Sequence, residues 1–274
     1  MNNKKLKFLG VIFLAAVTVF SGCKKTTTTG NGDDTTNTSA MILGFFSAGE
    51  SPEVILISDP IADTAQSQAK INSRVFPWEA ILPGYLAFMD TMPAIPATNY
   101  IIEVTSGLDS STGSITFPES TIITAPLEWD TLAVGQAVTC SWTAAQGAQY
   151  YDVRYYAQLY DSTGNDVGYL PTRQAYFTTN GITIPVSYFI NIPGVTYYKV
   201  YLEVIPYSGV IPQIGQAGNM TGTIKGFLVG ESDCCELSFY VGTPVKGTSK
   251  GSFSDRRPSR KDRINAYLRS LGVK

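Results

Sequence analysis

The sequence contains no histidine. That removes the most common general base, the usual partner of a nucleophilic serine or cysteine, and the commonest side-chain ligand of transition metals. Charge is also scarce, at 15% of 274 residues, and basic residues are fewest in the central part: residues 40–245 hold 6 Lys and Arg against 18 Asp and Glu. Nucleic-acid binding rests on a Lys/Arg footprint that displaces phosphate counterions, so no nucleic-acid partner is expected. Long apolar runs are missing as well. The run from Phe8 to Phe20 has 13 residues, whereas a helix needs roughly 18 or more to cross a bilayer.

That run follows Met-Asn-Asn-Lys-Lys-Leu-Lys and ends at small residues, which is the pattern of a signal peptide spanning residues 1–22. Next, Val19-Phe20-Ser21-Gly22-Cys23 resembles the lipobox of bacterial lipoproteins, with Phe20 where that family usually has Leu. The resemblance implies cleavage before Cys23, a lipid on its sulfur, and membrane attachment through acyl chains. Lys24, rather than Asp, follows the cysteine. The expected location is therefore the cell envelope, at the outer membrane or cell surface rather than the inner membrane. Residues 23–39 then form the lipidated Cys and a tether, since 24–39 hold no large apolar side chain. Sixteen such residues have an end-to-end distance of roughly 20–25 Å.

From Met41 onward, short runs of Val, Ile, Tyr, Phe and Thr alternate with Gly, Pro, Asp and Ser clusters, an all-β signature. Strands are predicted at Met41–Phe46, Val54–Ser58, Lys70–Phe76, Tyr85–Met89, Tyr100–Thr105 and Ser114–Phe117. In the fifth, Tyr100, Ile102 and Val104 alternate with Ile101, Glu103 and Thr105, as in a strand with one buried face. A first β-sandwich over residues 40–125 follows, closed by Thr124-Ala125-Pro126.

In the second half, Val138-Thr139-Cys140-Ser141-Trp142, Gly147 to Val153, and Ile192-Pro193-Gly194 to Val200 resemble strands B, C and F of a fibronectin type III domain. The resemblance implies an immunoglobulin-like β-sandwich over residues 126–245, with Tyr197 or Tyr198 supplying the corner hydroxyl before strand F. The expected architecture is thus two tandem sandwiches. Pro206–Cys235 is longer than that family's F-to-G hairpin and is expected to be an inserted loop used for contact, with Met220, Phe227 and Leu228 at its surface.

Residues 246–274 carry 9 basic and 2 acidic side chains. They read as a basic linker and a short amphipathic helix with Ile264, Tyr267, Leu268 and Leu271 on one stripe. This helix could dock on its own chain, on a membrane or on a partner.

Among chemistry-bearing residues, Cys234 and Cys235 are adjacent and could form a vicinal disulfide, or one could pair with Cys140. Cys140 reads better as core. Asp161-Ser-Thr-Gly-Asn-Asp166 reads as a turn, lacking the later Glu and Gly register of a calcium loop. Ser67-Gln-Ala-Lys70 matches Ser-x-x-Lys but without the accompanying motifs of penicillin-interacting enzymes. No catalytic residue, metal ligand or cofactor is assigned. Alternation splits the tyrosines: Tyr150, Tyr156, Tyr160, Tyr197 and Tyr201 fall on the solvent side, with Tyr156, Tyr160 and Tyr201 as a candidate binding row. The expectation is a non-catalytic binding or adhesion lipoprotein for an extracellular protein or glycan. The alternative is a structural subunit of an envelope complex, docking through its basic C-terminal helix.

Overall fold

The computed structural model describes residues 39–49, 52–59, 66–76, 78–82, 85–89, 93–210 and 218–245. The leader, Cys23, the tether, and the C-terminal stripe of Ile264, Tyr267, Leu268 and Leu271 lie outside the described residues.

The strands in chain order are β1 (Ser39–Ser47), β2 (Glu53–Asp59), β3 (Ser67–Ile71), β4 (Arg74–Val75), β5 (Trp78–Leu82), β6 (Tyr85–Met89), β7 (Asn99–Ser106), β8 (Asp109–Thr116) and β9 (Ile123–Ala125). They continue as β10 (Thr131–Leu132), β11 (Val138–Trp142), β12 (Tyr150–Tyr160), β13 (Asp166–Phe177), β14 (Gly181–Ile184), β15 (Tyr197–Gly209), β16 (Met220–Gly222), β17 (Lys225–Glu231) and β18 (Cys235–Val241). The alternation read in β7 holds: Tyr100, Ile102 and Val104 are buried and their neighbours are exposed. The run expected as one strand from Lys70 to Phe76 is instead the β3–β4 hairpin. Asn72 and Ser73 have φ of 49° and 65° and reverse the chain between Ile71 and Arg74.

These strands form three sheets. A ten-stranded sheet runs β10-β18-β15-β17-β1-β2-β6-β5, with β12 on the other edge of β15 and β13 beyond it. A three-stranded sheet, β14-β11-β9, and a five-stranded sheet, β16-β8-β7-β3-β4, complete the fold. Both smaller sheets lie on the same face of the large one. Tyr198, Val200, Leu202 and Val204 of β15 point into a core with Cys140, Trp142 and Ile184. Ser208 on that face pairs with Gly230, and the same side continues through Leu228, Ile42 and Phe46 into a second core with Ile102, Val104 and Phe117.

The first core is a fibronectin type III-like sandwich: β9, β11 and β14 face β13, β12, β15 and β18. The fragments read as strands B, C and F are β11, the start of β12 and the start of β15. Trp142 meets Tyr151 edge-on with ring centroids 5.5 Å apart. The corner tyrosine is Tyr198, whose hydroxyl donates to the Ile190 carbonyl at 2.6 Å. Tyr197 points to the other face.

Three expectations need correction. The sandwiches are not simply tandem: β15 is 13 residues long, about 44 Å at strand rise, and it serves both. Its first part pairs with β18 and its last residues with β17. Nor is Pro206–Cys235 an exposed contact loop. It contains the end of β15, then β16, which pairs with β8, then β17, which pairs in parallel with β1. Phe227 and Leu228 are therefore buried, and Met220 packs on the second core. The junction expected at Pro126 also shifts, because β9 just before it pairs with β11.

Candidate functional site

The face of the large sheet opposite the two smaller sheets carries the candidate site. Alternation places Asp152, Arg154, Tyr156, Gln158 and Tyr160 of β12 there, beside Tyr197, Lys199, Tyr201, Glu203, Ile205 and Tyr207 of β15. Tyrosines directly opposite each other stack across the two strands: Tyr156 on Tyr201 with centroids 4.7 Å apart, Tyr160 on Tyr197 at 4.9 Å, and Tyr150 on Tyr207 at 5.5 Å. Such pairs add to strand pairing beyond area burial.

Of the candidate row, Tyr156 and Tyr160 are partly exposed, but Tyr201 is only 5% exposed and Tyr197 is fully buried. Tyr201 is thus a packed member of this face, fixed by donating its hydroxyl to Gln158 Oε1 at 2.8 Å. Tyr160 donates to the same oxygen at 3.2 Å. Lys199 lies with Nζ 5.0 Å from the rings of both Trp129 and Tyr201, and its burial lowers its pKa.

Between the tyrosine pairs sits an ionic cluster that composition alone could not reveal. Arg154 bridges Asp152 and reaches Glu203 with Nη1 to Oε2 at 3.7 Å. Gln174 on β13 donates to both Asp152 oxygens at 3.0 Å. Burial raises the pKa of Asp152, against the lowering influence of Arg154 and Gln174. Burial pulls the Arg154 guanidinium down, but the charge and hydrogen bond of Asp152 together with the Glu203 charge outweigh it and keep the group ionised. Cys234 donates its thiol to Glu203 Oε1 at 3.2 Å, and Tyr207 donates to Glu231 at 2.8 Å.

The cysteine expectation is corrected here too: Cys140, Cys234 and Cys235 are not in disulfides. Successive residues on an extended strand point to opposite faces. Cys234 faces Glu203, while Cys235 accepts the Ile123 N–H at 3.3 Å on the core side. Cys140 is core, and burial pushes its thiol up to about 12.

The β12–β13 hairpin tip explains Asp161. Its carboxylate accepts from the Thr163 hydroxyl and N–H and from the Asn165 N–H, which hold its pKa down to about 2. The ionised carboxylate is thus what closes the tip. A depressed native pKa gives support that is complete above the ordinary value of 3.8 and is lost as pH falls through about 2. Amide exchange at Thr163 and Asn165, corrected for intrinsic rates, is expected to lose protection over that window while β12 keeps its own. Unchanged protection at pH 2 would show that the turn does not depend on this carboxylate.

Across the face, exposure divides into two zones. On the β12–β13 side, Tyr169 is 69% and Tyr176 42% exposed, in line with Gln158 and Asp152 on the neighbouring strand. On the β15–β17–β1 side, Leu43, Phe45, Phe227, Val229, Ile205 and Glu203 are all buried.

No protein-family model matches the sequence, and no curated protein matches it. Among solved structures, the chain is similar to the fibronectin(III)-like modules of CbhA from Clostridium thermocellum at 8% identity and TM-score 0.28, covering 74% of this chain and 94% of that one. It also matches Escherichia coli alpha-2-macroglobulin activated by porcine elastase, at 10% identity and TM-score 0.23, covering 76% of this chain but only 20% of that one. The strand order and the corner at Tyr198 make the second-half domain a fibronectin type III-like, immunoglobulin-like β-sandwich.

Proposed function

We propose that the chain is a non-catalytic binding or adhesion module of the cell envelope, held to the membrane by a lipid on Cys23, that engages an extracellular protein or glycan. The observation that supports this reading best is the open half of the outward face. Tyr169 and Tyr176 are exposed there, beside Tyr156 and Tyr160 and the amides of Gln158 and Gln174. Flat rings with a polar tip, next to amide donors and acceptors on a rigid sheet, suit a sugar ring or a peptide surface. Neighbouring Asp166, exposed on β13, turns the same zone against anionic ligands.

The test is binding of the labelled full-length chain to intact cells and to purified cell-surface polysaccharide. Replacing both Tyr169 and Tyr176 by alanine is expected to lower binding at least tenfold without moving the thermal midpoint. Equal binding by the double variant would reject this face. The anchor is tested separately by mass spectrometry of the mature N-terminus. A lipid-modified Cys23 is expected, and an unmodified residue 23 on protein shed into the medium would reject attachment.

A further inference from the structure

The open half of the outward face presents its exposed tyrosines at two separate points. Tyr176 aligns with Asp152 and Tyr169 with Gln158, and those partners are six residues apart on β12, about 20 Å at strand rise. Each ring has an amide close by: Gln174 is the next outward residue before Tyr176, and Gln158 lies across from Tyr169. A pyranose unit has an apolar C–H face and a rim of hydroxyls, which a flat ring beside an amide can cover and bond. Tyr150 adds an independent observation. Its hydroxyl is buried and has no hydrogen-bond partner among the described residues, a state that costs free energy unless something else bonds it. Two rings flank Tyr150: Tyr207 stacks on it at 5.5 Å and Tyr176 meets it edge-on at 5.8 Å. Tyr207 is fully buried, whereas Tyr176 is 42% exposed on the edge strand β13. Tyr176 is therefore the neighbour able to turn aside, and exposed side chains change rotamer in picoseconds to nanoseconds.

We propose, on the reading of this open half as the binding face, that it takes an extended, uncharged polysaccharide chain at two contact points: one sugar unit on Tyr176, bonded by the Tyr150 hydroxyl, and another on Tyr169. The chain is uncharged because an anionic sugar meets a carboxylate here and no uncommitted guanidinium. Arg154 is held by Asp152 and Glu203, Arg173 aligns with Tyr155 and so faces the other way, and exposed Asp166 stands beside Gln158. Internal units are bound, since both points lie on a sheet surface, whereas gripping a chain end takes a concave pocket. No mono- or disaccharide spans the two points. A longer chain does, and its second contact then forms at the high effective concentration set by the first.

Calorimetric titration of the full-length chain tests this, with cello-, xylo- and manno-oligosaccharides from disaccharide to hexasaccharide and with oligogalacturonides as the anionic counterpart. At least one neutral series is expected to bind, its hexasaccharide at least tenfold tighter than its disaccharide, and the anionic series more weakly at every length. Tyr169→Ala or Tyr176→Ala alone is expected to bring the hexasaccharide down to the affinity of the disaccharide. Tyr150→Phe is expected to weaken the hexasaccharide at least threefold while its unfolding midpoint stays or rises, because the change keeps the ring and deletes an unsatisfied group. A purely structural hydroxyl would give the opposite pattern.

Equal affinity at all lengths, tighter binding of the anionic series, or parental affinity in Tyr150→Phe would each overturn the proposal. So would the absence of binding by every series. If the Tyr169 and Tyr176 double variant nevertheless loses its binding to intact cells, the face stands as the binding face and its ligand is a protein. A double variant that binds cells like the parent rejects the face itself.

Discussion

Replacing Arg154 by alanine is expected to cost about 3–5 kcal/mol of stability, the range for removing one partner of a buried ion pair. The reason is what remains. Asp152 is fully buried and Glu203 nearly so, and the substitution withdraws the guanidinium that both face. Gln174 still donates to Asp152 but brings no charge. Two comparisons separate this from lost packing. Asp152→Leu combined with Arg154→Met keeps volume and removes the ions together, and is expected to recover much of the loss. The second is pH. Burial already raises Asp152 in the native protein, and losing Arg154 raises it further, so the folded variant holds its proton more tightly than the unfolded chain. Sign follows directly: the deficit is smallest below the ordinary carboxylate range and grows as pH rises through the folded-state value. Urea unfolding midpoints at pH 4 and pH 7 measure it. A deficit of equal size at both would show that charge is not the cause.

Leu228→Ala is expected to cost about 2–5 kcal/mol, as for a buried leucine whose site cannot collapse. This side chain is fully buried and sits over two glycines: a Cβ on Gly44 would come within 2.5 Å of its Cδ2, and one on Gly113 within 2.9 Å of its Cδ1. It locks β1 of the large sheet to β8 of the small one, so Gly44→Ala is expected to overpack the same spot. Deleting residues 218–231 outright removes β16 and β17, a member of each facing sheet. Because β15 belongs to both sandwiches, the damage is expected to spread, giving loss of near-ultraviolet circular dichroism and rapid proteolysis of residues 39–118. A deletion variant with a wild-type unfolding transition would refute the role assigned to these strands.

Much of the fold was legible in residue patterns. The alternation of Tyr100, Ile102 and Val104 fixed a face, and the Trp142 and Tyr198 fragments carried the sandwich. What misled was treating Pro206–Cys235 against the length of a short hairpin. Lys225-Gly-Phe-Leu-Val-Gly-Glu has the apolar run of a buried strand bounded by glycines, but its partner β1 lies about 180 residues earlier, and periodicity says nothing about such distant pairing. Gly209 marked the place: its φ is +83° and a Cβ there would strike the Leu228 carbonyl at 2.0 Å, so only glycine lets the two strands cross. The tyrosine row was placed on its correct side by alternation. The burial of Tyr197 and Tyr201 was not legible, because strand alternation assigns a face and says nothing of what packs on it. The Asp152–Arg154–Glu203 cluster was missed for a related reason: its members sit 2 and 49 residues apart on neighbouring strands, and only the β12–β15 register unites them.

The parallel pairing of β1 with β17 also bears on mechanical load. β1 is the first described strand, and seven of its positions, Met41 to Ser47, pair with β17 while its other edge pairs with β2. Tension arriving from the N-terminal side would pull β1 lengthwise between two flanking strands, straining many hydrogen bonds at once instead of peeling them singly. Such shear resists force far better than unzipping, so the first described strand is also the one best placed to bear a pull from the N-terminal side.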